Sequence, residues 1–186
     1  MAVGIFKDIV VNQNNQLKSV NWYRKQLSDM TDRATARKLM NDGKLTARPS
    51  IGRLNMFFYD PKTKDKLPYY DIFPLVLPLE PIKGGFLGLN FHYLAPLLRF
   101  RLLETIQDRY ATSRELKSNM RLDVSYDRVK NIPMVKPTIK KYLFGYVRSN
   151  FLRIDAEEAA IACYLPVQQF KKRSASYVYG QSRGMI

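Results

Sequence analysis

The chain has 186 residues, with 31 Lys and Arg against 16 Asp and Glu, a net charge of +15. At 46% hydrophobic and 12% aromatic it can bury a core, which excludes wholesale disorder. One histidine, His92, and one cysteine, Cys163, exclude an internal disulfide framework and a multi-cysteine or histidine-rich metal centre.

In chain order, residues 1–17 read as an N-terminal arm. Val3, Ile5, Phe6, Ile9, Val10 and Val11 are apolar, and a polar tract follows. No signal peptide is expected here, because Lys7 and Asp8 break the apolar opening. No apolar run reaches the length of a membrane span, so a soluble, reducing compartment is expected. Ser19 to Met30 predicts a helix with Trp22, Tyr23, Gln26, Leu27 and Met30 near one face. A second short helix is predicted over Asp32–Met40, capped by Thr31 and ended by a left-handed Gly43. Arg33, Arg37 and Lys38 would line its exposed side, either as a solvated basic face or as one contact surface.

Lys44 to Gly52 reads as a linker. Leu54 to Tyr59 then has strand character, and Asp60–Pro61 with the charged residues to Lys66 reads as a hairpin tip. Pro68 to Leu79 predicts an edge strand, or a strand that leaves the sheet, since Pro74 and Pro78 cannot donate to a ladder. Gly84–Gly85 marks a turn, and Phe86 to Tyr93 predicts a third strand with its Leu, Phe and Tyr set facing the core. Pro96 fits the first turn of a helix reaching about Tyr110. Leu98, Leu102, Leu103 and Ile106 would be buried, and Arg99, Arg101, Glu104, Asp108 and Arg109 would stay wet. Ala111 to Asp127 is polar and weakly patterned. Thr138 onward predicts another helix, with Ile139, Tyr142, Leu143, Tyr146 and Val147 on one face. Phe151 to Ile154 reads as extended, and Asp155 with Glu158 forms a capping box for a short helix. Phe170 onward reads as a basic, aromatic terminal arm.

Catalytic patterns are weak. His92 with Asp71 could imitate part of a triad, but no nucleophile elbow accompanies it, and a structural role is expected. An enzyme using paired carboxylates would need two acids brought together, such as Asp60 and Asp71 across the hairpin. Cys163 has apolar neighbours and reads as an inert buried thiol. No catalytic residue, metal or cofactor is assigned, and no enzymatic activity is expected. What remains is charge. The four successive stretches 1–50, 51–100, 101–150 and 151–186 carry net +5, +2, +6 and +2, so a basic globular surface is expected rather than a basic tail. Such a surface attracts DNA, RNA, an anionic membrane or an acidic protein face. Lys140, Lys141, Lys171, Lys172 and Arg173, interleaved with aromatic residues, are further candidate contacts to a polyanion. With no readout module in the sequence, DNA binding would follow the backbone and not the base sequence.

Four stretches are familiar together: KLMNDGKLT (38–46), GRLNMFFYDPKTKDKLPYYDIFPLVLPLE (52–80), GGFLGLNFHYLAPLLRFRLL (84–103) and LPVQQFKKRS (165–174). In them the chain resembles small basic virion structural proteins of T-even-like contractile-tailed bacteriophages and their marine relatives. The resemblance implies a virion protein, made in the host cytoplasm and assembled among several other virion proteins. A tail baseplate or hub subunit bridging its neighbours is the first reading, and a neck or DNA-end-associated protein binding the DNA backbone is the second. Residues and resemblance together predict an α+β protein: an N-terminal arm (1–17), a single domain (18–170) and a basic C-terminal arm (171–186). The domain is expected to hold a small antiparallel sheet near 54–93, able to curl like a barrel, packed with short helices. Tyr59, Tyr69, Tyr70, His92 and Tyr93 are expected at its fold-defining centre or at an interface.

Overall fold

The computed structural model describes Lys25 and residues 35–111 and 121–186. The expected arm 1–17, the helix over Ser19–Met30 apart from Lys25, and Arg33 lie outside the described residues. The elements are α1 (Ala36–Asp42), β1 (Leu45–Thr46), β2 (Asn55–Met56), β3 (Tyr70–Asp71), β4 (Leu75–Ile82), β5 (Gly85–Asn90), a 3-10 turn (Phe91–Tyr93) and α2 (Pro96–Tyr110). There follow α3 (Tyr126–Val129), α4 (Val135–Thr138), β6 (Ile139–Leu143), a second 3-10 turn (Phe144–Tyr146), β7 (Phe151–Arg153), α5 (Ala159–Tyr164), β8 (Phe170–Lys171) and α6 (Ala175–Arg183). The class is α+β, as the sequence predicts.

The main sheet is antiparallel throughout and runs β1-β7-β2-β4-β5-β6, and β3 pairs with β8 in a separate ribbon. It is open, with β1 and β6 at its edges, so it does not close into a barrel. It also reaches well beyond residues 54–93, because β1, β6 and β7 come from flanking sequence. β4 is an interior strand, not the edge strand its prolines suggest. β2 is only two residues long and pairs with Leu75 and Val76, so Pro78 and Pro81 meet a partner on the β5 side alone. The register also slips between Pro78 and Glu80, which absorbs the irregularity. Gly84 turns the chain between β4 and β5 at φ 73°, a conformation that favours glycine.

Hydrophobic clusters lie on both faces of this sheet, so the residues of β5 that alternate with the expected core set are buried too, Phe86, Gly88 and Asn90 among them. Leu75, Leu77, Leu89 and Leu152 face the larger core, which includes Leu102, Leu103 and Ile106 of α2 and Ile161 and Ala162 of α5. The other face carries Phe57, Tyr59, Val76, Phe86, Tyr142 and Phe151. The aromatic rings on this face pack in edge, tilted and stacked contacts, with centroids 4.8–6.2 Å apart, and they exclude water by their area.

Three helical predictions shift. α1 starts at Ala36 rather than Asp32, with the Thr35 side chain accepting from the Lys38 N–H as its cap; the expected cap Thr31 lies outside the described residues. Gly43 is extended at φ −97° rather than left-handed. Its value is space, because a Cβ there would run into the Leu152 side chain. Ile139–Leu143 is β6 and not a helix. Its side chains alternate between the buried Tyr142 and the exposed Lys141, and Tyr142 completes the aromatic layer. The capping box at Asp155 is present in half: Glu158 accepts from the Asp155 N–H at 3.1 Å. Residues 171–186, read as a terminal arm, form the end of β8 and α6, and Val178 and Ser182 of α6 are buried.

Candidate nucleic-acid interface

β3, the 60–67 loop, the end of β5 and β6 converge on a cleft of about 320 Å³. The loop is pinned at its root by the Tyr59 N–H donating to Ile72 O and the Asp60 N–H donating to Tyr146 O. Its tip is held from outside by Lys172, whose ammonium donates to the carbonyls of Lys64, Asp65 and Leu67 at 2.7–3.1 Å. Those three bonds match the three donors of an ammonium group, and Lys172 itself stands at φ 71°, a conformation rare outside glycine.

Tyr59, Tyr70, Tyr93 and Tyr142 supply aromatic walls, and Lys62, Lys140 and Lys141 supply charge. Lys62 and Lys141 are exposed, while Lys140 is largely sunk. The Lys140 Nζ lies 4.1 Å from the centre of the Tyr93 ring and donates to Pro137 O at 2.9 Å. Burial pulls its pKa down to about 8. The Tyr93 and Tyr142 hydroxyls are pushed up by burial and stay protonated. Leu143 donates its N–H to the Tyr59 hydroxyl at 3.1 Å, which ties the loop side of the cleft to β6.

Behind the cleft lies a buried polar cluster. The Asp71 carboxylate accepts from His92 Nδ1 at 2.8 Å and from the N–H groups of Phe73 and Gln169, each at 3.0 Å. Burial alone would raise this carboxyl, but His92 and the two backbone donors hold it below the ordinary value. Burial also lowers His92, against the pull of Asp71, so the ring is neutral at pH 7 with its proton on Nδ1. Arg99 of α2 is completely buried as well, against the expectation that it stays wet. It donates to the carbonyls of Leu94, Cys163, Leu165 and His92, to Gln168 Oε1 and to the Tyr179 hydroxyl, at 2.7–3.5 Å. α6 therefore docks on the domain through Tyr179. The Cys163 thiol is buried and pushed up to about 12, in keeping with the inert group expected.

The structure thus gathers five candidates, Tyr59, Tyr70, Tyr93, Lys140 and Lys141, around one cleft, with His92 behind it. Tyr69 stands beside them, its ring 5.9 Å from that of Tyr93. Arg37 and Lys38 are exposed on α1, apart from this group. Lys171 and Arg173 are exposed near the loop, with Arg173 5.1 Å over the Tyr177 ring, whereas Lys172 is committed to the fold. Asp60 is taken by Lys64 and Arg148 and Asp71 by His92, so the two carboxylates have separate partners. Sequence reasoning missed Lys62 and Asn90 as cleft residues. The only hint was a lysine-rich tip leading into consecutive tyrosines. Among the described residues no three His, Cys, Asp or Glu side chains group to hold a metal, and no helix is long and apolar enough to cross a membrane.

An α+β scaffold with a cationic, tyrosine-walled cleft is a binding architecture that suits an aromatic polyanion. A model of the phage T4 terminal DNA protecting protein family matches residues 6–182, and the chain belongs to this family of T4-like phage proteins. No curated protein and no solved structure is significantly similar to it.

Proposed function

We propose that the chain is a non-enzymatic phage protein that binds the ends of phage DNA, in the virion or in the infecting DNA complex. The observation that carries this reading is the family match, which spans nearly the whole chain. The lysines and tyrosines of the cleft are the groups such a role needs, since Lys neutralises phosphate and tyrosine rings stack on bases. Of the two placements drawn from the sequence, the family favours the DNA-end-associated protein over the tail baseplate or hub. Contacts with other virion proteins, through Arg37, Lys38 and the exposed cations near β8, belong to the same proposal. The Asp71–His92 pair, closed to solvent, serves the fold and not a reaction.

The test is competition between linear duplex DNA and the same sequence as a closed circle, using the purified full-length protein. Linear DNA is expected to compete better, to be protected from an exonuclease, and to lose affinity as salt rises. Equal competition by the circle would refute end recognition, and no binding at low salt would refute the DNA reading altogether.

A further inference from the structure

The geometry points to the cleft between the 60–67 loop and β6 as the receptor for the last nucleotide of a DNA strand, unpaired from its complement. Its base would lie against the tyrosine rings and its phosphate among Lys62, Lys140 and Lys141. This rests on the DNA-end reading above and names the part of the DNA that the site takes.

Three observations carry it. The first is size: about 320 Å³ falls at the small end of the roughly 300–1,000 Å³ typical of small-molecule sites, room for one nucleotide and not for a duplex. The second is uncompensated charge. Among the described residues none of the three lysines forms an ion pair with a carboxylate, whereas Lys64, Lys44 and Lys130 each do. Asp71, the acid among the lining residues, is already consumed by His92. An anion entering the cleft therefore has no carboxylate to displace from these lysines, although Lys140 keeps its bond to Pro137 O and its place over the Tyr93 ring. The third is the pairing of that charge with aromatic walls, which suits an occupant carrying both a phosphate and a flat ring system. Tyr70 is only half-buried, so ring surface remains open. A strand end is the apt source, because a terminal base has one stacking neighbour and leaves the duplex more readily than an internal one. Lys140, lowered to about 8 by burial, would also gain from a phosphate that stabilises its charged form.

The experiment uses full-length protein and a blunt duplex oligonucleotide carrying 2-aminopurine at the 5′ terminus, at the 3′ terminus, or well inside. On binding, the emission of one terminal probe should change while the internal probe stays constant, and the arm that responds identifies the strand. Lys140→Met, and separately the exposed pair Lys62→Ala with Lys141→Ala, should abolish the response and weaken end binding by roughly tenfold. The lysine pair lies on the surface, so its effect reads out with the fold intact. If the wild type binds ends but neither terminal probe responds, or if the response survives in both variants, the cleft assignment is overturned and the DNA-end reading stands. If the wild type shows no preference for ends, both fail together.

Discussion

The guanidinium of Arg99 carries a charge into a fully buried site, and it is tolerated because six oxygen acceptors surround it. Removing it leaves those acceptors facing nothing. Arg99→Met is expected to cost about 3 kcal/mol or more in chemical denaturation, because buried polar groups left unpaired cost about 1–3 kcal/mol each. Arg99→Lys should rescue little, since three donors on a flexible stem cannot reproduce a planar fork. His92 gives a pH signature. Its folded pKa lies below the unfolded value of about 6.5, so as pH falls below that point the unfolded chain takes up a proton that the native one refuses. Stability therefore falls with acidification from about pH 6.5 downward, by up to about 1.4 kcal/mol per pH unit. As the chain has one histidine, His92→Asn should flatten denaturation midpoints measured across that window, at a lower overall stability. Asp71 adds to the loss at lower pH, because its depressed carboxyl supplies stability that disappears as it protonates.

At the scale of elements, the cleft depends on how closely β5 and β6 pair. Gly85 stands opposite Leu143, and a Cβ there would sit 1.9 Å from the Tyr142 carbonyl oxygen. Backbone cannot give way as a flexible side chain can, so Gly85→Ala must open the ladder that carries Lys140, Lys141 and Tyr142. The expected result is a loss of about 1–3 kcal/mol in urea unfolding, with end binding weakened in parallel. The pairing also explains which elements were legible. Pro96 and the Leu stripe marked α2, because caps and periodicity are local signals, while the helix expected to open at Asp155 begins only at Ala159, after a turn, with Glu158 at its N-cap. β6 was misread because Ile139, Tyr142, Leu143 and Tyr146 fit a helical face as well as a strand. Only a partner strand with room for Tyr142 settles that ambiguity. β4 was misread for the same kind of reason: its prolines are compatible with an interior position only because β2 is so short.

At the scale of the whole molecule, the +15 charge is unevenly neutralised. Asp155 alone gathers Lys44, Arg53 and Arg153, and Asp60 gathers Lys64 and Arg148. Concentrating several cations on one carboxylate leaves other regions without counter-charge, and the cleft is such a region. The sequence by itself determined that the protein folds, that it is basic in every quarter, that one His and one Cys limit its chemistry, and that it is α+β and of phage type. Composition, turn residues and recurring segments are properties of the linear chain. Only the tertiary structure decided which tyrosines and lysines meet, that Arg99 is buried, and that Lys172 braces a loop. Those outcomes depend on residues brought together from segments tens of residues apart, and no local pattern encodes the distance between them.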